Sequence, residues 1–449
     1  MPALRAWALA GRWIVPALLV LASLAMSWTV TAYHADAFSP RDEWVYLDYL
    51  NKIPHQGFIH QGEVIGQDPR TRMACDGVRD YGPMGPACGG PLTDLALFPQ
   101  QAVNTADIYT PLYFAVTRAA AGVIQVVTGH DLFHSARLVG GLWLAGTMLL
   151  FSGLLRSYRV PAMVILGVGL AFIGSPLAWW TYTYISTDAP TFAFGVAGLW
   201  IATSVLKRTL SGWWLVLVAI IAVLFKVTNL LTIGLLAVFI ASAVFSEIHA
   251  HRRAAGRWLR PSAADFRPVV VASIAVVLSI LAQVLWLFVR SASAVGPSPS
   301  QGNLGAFGLS ELGRLAVMTI PNTIVSNSTI TGSGLNSYQI PTFIVAPLGW
   351  FCIVAVVAAL WHPLSSSHQR TLAFATAVAT VLFVPALALA LAQSQGTYFA
   401  LPARYGAPLL APILLVGALL ITNRWAIHAL LAYSATLVAY VLLTASVLS

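Results

Sequence analysis

Apolar runs of roughly twenty residues, separated by short polar turns, recur along almost the whole chain. A helix crossing the hydrocarbon core of a bilayer needs about twenty such residues, so each run reads as a span. The fold class expected is an all-α polytopic membrane protein. The runs fall at about 13–31, 138–155, 160–180, 189–206, 211–225, 229–246, 268–290, 341–361, 371–392, 405–422 and 425–447, about 11 spans in all. Two longer polar stretches interrupt them, residues 34–107 and the Gly/Pro-containing stretch 292–341. One lies in each of two expected modules, 34–107 in 1–250 and 292–341 in 251–449, and no internal repeat of fixed period is apparent.

Two runs need a decision. Arg5 and Arg12 precede the first, and Ala35-Asp36-Ala37 beyond it resembles a signal-peptidase site. A cleaved signal has an apolar region of only about 7 to 15 residues, so this run reads as an uncleaved helix with its N-terminus in the cytoplasm. The segment 109–128 is barely long enough to span and carries Arg118 at its middle. Whether it crosses or lies on the surface flips every later span.

Charge settles that choice. Of 449 residues 58% are hydrophobic and only 9% charged, where a water-soluble domain carries about a quarter charged. The net charge of +9 comes from 21 arginines and three lysines lying in short turns, which offer no folded basic face for nucleic acid. With 109–128 on the surface, thirteen basic residues and two acids, Glu247 and Asp265, fall on the cytoplasmic side, including the cluster Arg252, Arg253, Arg257, Arg260 and Arg267. The split is +11 inside and −2 outside. The opposite choice exports the cluster, against the positive-inside rule. So 109–128 is expected to be an interfacial or re-entrant helix, and 34–107 and 292–341 outer loops.

The first outer loop holds ten of the fifteen acids, with Cys75 and Cys88 in a Gly/Pro-rich segment where an oxidising compartment would favour a disulfide over free thiols. Four features gather on this face. Asp42-Glu43 follows the first span, and adjacent carboxylates repel, which suits a general base or a metal-binding pair, or simply a solvated loop. Asp107-Ile108-Tyr109-Thr110-Pro111-Leu112-Tyr113 opens the interfacial helix, although aromatics belong at headgroup depth whatever the function. Tyr184 and Asp188 lie in a short turn, where Asp188 could cap the next helix ahead of Pro190. Lys226 breaks the apolar stretch 211–240, and Arg404-Tyr405 stands at the mouth of the penultimate span. A lysine at bilayer depth is costly and usually functional unless it snorkels to the interface. Arginine can hold a lipid phosphate through two parallel hydrogen bonds.

The order of these motifs resembles the GT-C superfamily of membrane glycosyltransferases, which use polyprenyl-phosphate sugars at the outer membrane face. The likeness rests on Asp42-Glu43 after the first span, Tyr109-Thr110-Pro111-Leu112-Tyr113 in place of a Pro-Pro-Leu-Tyr-like segment, and Arg137-Leu138 entering the second span. Asp188 in an outer turn, Leu224-Phe225-Lys226-Val227 for a Leu-Thr-Lys-Gly-like turn, and Arg404-Tyr405 with Pro408 and Pro412 complete it. It covers about the first 250 residues plus the late Arg-Tyr motif, and Thr110 departs from the family pattern.

The resemblance implies a GT-C-like fold and an inverting transfer to a cell-envelope glycan or lipid-linked acceptor. Asp42 would be the base, with Glu43 the alternative. Lys226, Arg404 or Arg137 would hold the leaving polyprenyl phosphate, and Glu43 and Asp188 would orient the acceptor or help hold a divalent cation, if one is used. Asp107, Tyr109, Tyr113, Tyr184 and Tyr405 complete the expected substrate site. The arginine excess and abundant alanine suit a bacterial inner membrane, with the site facing the periplasm. Two other readings fit the residues: a transporter or flippase of a lipid-linked sugar, and an O-antigen-type polymerase or ligase. The expected partners are the polyprenyl-phosphate sugar, the acceptor and membrane lipid, with no nucleic acid.

Overall fold

The computed structural model describes residues 2–255, 262–299, 308–326, 341–361, 364, 366–395 and 401–448. Among them the regular structure is helical apart from isolated bridges such as Phe38 to Val78. In chain order the helices are α1 (Pro2–Tyr33), α2 (Glu43–Gln56), α3 (Gln67–Cys75), α4 (Pro111–Thr128), α5 (Leu132–Ser157), α6 (Ala162–Ile173), α7 (Pro176–Thr183) and α8 (Thr191–Leu206). They continue with α9 (Trp213–Phe225), α10 (Leu230–Ala255), α11 (Ala263–Ala292), α12 (Leu309–Ile324), α13 (Thr342–Trp361), α14 (Ser367–Gln395), α15 (Leu410–Leu420) and α16 (Arg424–Leu443). Nine segments among the described residues are long and apolar enough to cross a membrane, ten with the bent pair α6 and α7. By the length and composition of its helices, all-helical among the described residues, the chain is consistent with a multi-pass membrane protein.

Eight of those nine coincide with expected spans, and the ninth, Pro111–Thr128, is the segment that charge assigns to the surface. The other three expected spans take different forms. The run 160–180 bends by 64° between α6 and α7. Gly174 ends α6, Ser175 Oγ accepts from Ala178 N to cap α7, and Pro176 has no N–H to continue the ladder. Helix α8 has sixteen residues and α9 thirteen. At 1.5 Å per residue α9 is about 20 Å long, short of a whole crossing. The stretch 292–341, expected as a loop, contains α12, which buries Leu315, Ile320 and Ile324 and exposes Leu309 and Val317. Pro321 within it disguised a one-sided apolar pattern. The rest of that stretch lies partly outside the described residues, as do Arg257 and Arg260.

Residues 34–110 form a cap at one end of the bundle. Its own apolar core, with Phe38, Tyr49, Leu50, Met73 and Phe98, rests on Phe114 of α4 and Phe133 of α5. Cys75 and Cys88 are bridged. Asp48 ties distant loops together, accepting from Gly66 N at 2.7 Å and Asn104 Nδ2 at 2.7 Å while pairing with Lys52 at 2.9 Å. The end of α11 holds the cap from the side through Arg290 to Asp107 (2.7 Å) and Trp286 Nε1 to the Ile108 carbonyl (2.9 Å).

Candidate functional site

The site begins where α1 gives way to α2. Asp42 adopts a left-handed backbone (φ 59°) ahead of α2 and makes no capping bond with its side chain. Aspartate tolerates this region better than most residues. Its carboxylate, 42% exposed, is turned instead toward Arg404 Nη2 at 3.6 Å.

Glu43, one residue on, is completely enclosed. Oε1 accepts from Arg137 Nε (2.9 Å) and Ile185 N (3.0 Å), and Oε2 from Arg137 Nη2 (2.8 Å) and Ser39 N (2.7 Å). Arg137 donates further to the carbonyls of Ala35 and Ala37 and lies 4.1 Å from the Phe133 ring centroid. This buried, fully hydrogen-bonded pair joins the α1–α2 loop to α5 and to the turn after α7. Neither group reaches the cavity described below, so neither a base at Glu43 nor a phosphate contact at Arg137 fits the geometry.

Lys226 stands in extended backbone between α9 and the 3-10 turn Val227–Asn229. It does not snorkel: its ammonium is buried and donates to Asp188 at 2.6 Å and Thr187 at 3.2 Å. Asp188 does not cap α8, whose N-cap position is Pro190. Its second oxygen meets Arg404 Nε at 3.3 Å. Arg404 and Tyr405 lie on a 3-10 segment, Ala403–Leu409, that α12 fixes by a bond from Thr323 Oγ1 to the Ala403 carbonyl (2.7 Å). The ammonium of Lys226 also sits between the rings of Tyr109 and Tyr405, at 5.8 and 5.6 Å.

These groups surround a cavity of about 400 Å³ between cap and bundle. Five of the eleven expected site residues line it: Asp42, Tyr109, Lys226, Arg404 and Tyr405. The chain matches no protein-family profile and no curated protein. The other six stand behind the wall. Besides Glu43, Arg137 and Asp188, Tyr113 Oη accepts from Ser186 N (3.1 Å) and so shapes the turn before Asp188. Tyr184 stacks on His34 with centroids 4.1 Å apart, and Asp107 is engaged by Arg290.

The cavity wall adds residues that the sequence reading passed over. Arg41 lines it and has no carboxylate partner among the described residues. Tyr46, one helical turn past Asp42, puts its hydroxyl 3.5 Å from that of Tyr109. Burial holds the Tyr46 phenol well above its ordinary pKa, with Tyr109 and Asp42 adding to the effect. Gln283 is a lone amide in the apolar run of α11, a signal legible in the sequence. Gln100 comes from a strained stretch with positive φ at Gln100, Gln101 and Ala102, which composition does not announce. One wall is apolar, built from Val223, Leu224 and Phe225 of α9 and Leu387 and Leu391 of α14.

A divalent cation does not suit this donor set. Among the described residues no three His, Cys, Asp or Glu side chains converge. Glu43 is saturated, Asp188 is engaged by two cations, and only Asp42 offers a partly exposed carboxylate.

Proposed function

We propose that the protein is an inverting glycosyltransferase that moves a sugar from a polyprenyl-phosphate donor to a cell-envelope acceptor. The observation that carries this reading is the charge pattern of the cavity. Arg41, Lys226 and Arg404 face Asp42 and the underlying Asp188, leaving a single net positive charge beside an apolar wall. That is the complement of a phosphodiester monoanion on a lipid. A diphosphate-linked donor, as a polymerase or ligase of the O-antigen type would use, brings a second negative charge that the pocket does not match.

In this reading the Asp42 carboxylate accepts the proton of the acceptor hydroxyl while that oxygen bonds to the anomeric carbon. The bond from that carbon to the phosphate oxygen breaks on the opposite face, which inverts the configuration. The leaving polyprenyl phosphate is held by Lys226, Arg404 and Arg41 through charge-assisted hydrogen bonds. The prenyl chain lies along the α9–α14 wall. The order of motifs shared with the GT-C superfamily supports the same assignment, with Asp42 in preference to Glu43 as the base. The excess of arginine in the turns at the far end supports an N-terminus in the cytoplasm and a cavity facing the periplasm.

The test is sugar release from polyprenyl-monophosphate donors by purified protein in detergent, where no transport can occur, set against diphosphate donors. Transfer from the monophosphate donor that disappears in Asp42→Asn is expected. Exchange across vesicles with no release in detergent would establish a transporter instead.

A further inference from the structure

Two carboxylates, Asp42 in the cavity wall and Asp188 just behind it, flank the guanidinium of Arg404, which lies 3.6 Å from one and 3.3 Å from the other. Paired carboxylates facing a phosphate site are the usual setting for a bridging divalent cation. Here an arginine side chain fills that position. We infer that Arg404 acts as a built-in substitute for a divalent cation, bridging Asp42 and Asp188 at the edge of the phosphate site, with Lys226 supplying the second positive charge to Asp188. The inference rests on the reading above for the identity of the bound phosphate, though not for the behaviour of the carboxylates toward metal.

Three independent features support it. First, the groups around the two carboxylates are cations or neutral hydroxyls: Lys226 bonds Asp188, Arg41 lines the same cavity, and Tyr46, Tyr109 and Tyr405 complete the wall. A divalent ion added to a cavity already net positive by one charge would meet repulsion from three cations. A phosphodiester monoanion brings that balance to zero. Second, the oxygens that a hard cation would require are engaged. Mg²⁺ takes about six oxygen ligands, whereas both oxygens of Asp188 are already engaged, one by Lys226 at 2.6 Å and the other by Arg404 at 3.3 Å, and Glu43 is turned away from the cavity. Third, Arg404 is fixed in place. Its segment is pinned by Thr323 to Ala403, and a Cβ on Gly406 would fall 2.3 Å from Thr323 Oγ1, so α12 and this 3-10 segment touch closely. A guanidinium cannot lose its proton under these conditions, and its planar fork can serve two carboxylates together. Its position is therefore as permanent as a resident ion's.

Two measurements on the whole protein in detergent test this. In the first, Mn²⁺ alone is titrated and its binding followed by electron paramagnetic resonance. Wild type is expected to bind no Mn²⁺ that depends on Asp42, so its signal should match that of Asp42→Asn. Arg404→Gln, which uncovers the two carboxylates, is expected to gain a Mn²⁺ site that Asp42→Asn/Arg404→Gln lacks. In the second, transfer by wild type is measured after EDTA and again after added Mg²⁺ or Mn²⁺, and no change is expected. Arg404→Gln should lose on the order of 10²-fold in transfer, the cost of one charge-stabilising donor. Mn²⁺ binding by wild type that Asp42→Asn abolishes, or transfer that EDTA removes and a divalent ion restores, would overturn the inference. The wild-type arms decide it even where Arg404→Gln fails to fold. A protein that transfers no sugar defeats the functional reading, while the Mn²⁺ titration still judges the role of Arg404.

Discussion

Between Asp42 and Glu43 the backbone passes from left-handed to helical, and the two carboxylates part, one into the cavity and one into the packed interior. They should therefore fail differently when altered. Asp42→Asn keeps the side-chain shape at a partly exposed position, so stability should stay within about 0.5 kcal/mol of wild type. Transfer should fall by about 10²- to 10⁴-fold, as on loss of a general base. Glu43→Gln strands the Arg137 charge and sets an amide N–H₂ against donors that now meet a carboxylate, and it should cost about 3–5 kcal/mol. Thermal melts and transfer rates on the two variants separate the roles. His34 offers a second test at this scale. Burial first, then the nearby charges of Arg137 and Arg79, holds its imidazole well below the ordinary pKa. The folded protein thus keeps His34 neutral where the unfolded chain protonates it, below about pH 6.5. Stability should fall as pH drops through that window and level off above it. His34→Gln should flatten the profile in melts taken across this range.

At the scale of elements, helices α5, α7 and α2 meet around the turn that precedes Asp188. Gly140 of α5 lies so close that a Cβ there would fall 2.2 Å from the Tyr182 carbonyl oxygen, which also accepts from Ser27 Oγ at 2.6 Å. Gly140→Val should push α5 off this turn, costing about 1–3 kcal/mol by overpacking and lowering transfer with it, both measurable on one preparation. The disulfide is the second element-scale device. Replacing Cys75 and Cys88 together by Ser frees a short loop and should destabilise the cap by about 3 kcal/mol, seen as faster proteolysis of residues 34–110. The same elements show where sequence patterns suffice. The long runs that became α1, α5, α10, α11, α13, α14 and α16 were legible because one environment, lipid, dictates twenty residues at a time. Lys226 and Arg404 were legible as expensive charges in apolar surroundings. The roles of Glu43, Arg137 and Tyr113 were not, because their partners lie some 70 to 140 residues away and no local pattern encodes them. Helix α12 was hidden for the opposite reason: Pro321 and nearby glycines outweighed a one-sided apolar face.

For the whole molecule, charge sets a testable orientation. His55→Cys in the cap and Ser211→Cys in the α8–α9 turn are both exposed positions at opposite ends of the proposed topology. A membrane-impermeant thiol reagent applied to intact cells should label the first and spare the second, and inverted vesicles should reverse the result. The cavity also unites the two modules, since Asp42 and Lys226 come from the first, and Gln283, Leu387 and Arg404 from the second. That division has a consequence in time. Arg404 follows Lys226 by 178 residues, which at ordinary rates of synthesis is a delay of about 10–35 s. Throughout it the nascent chain carries Asp42 and Asp188 without the guanidinium that lies between them. The proposed phosphate site is therefore incomplete until the segment that carries Arg404 has been made.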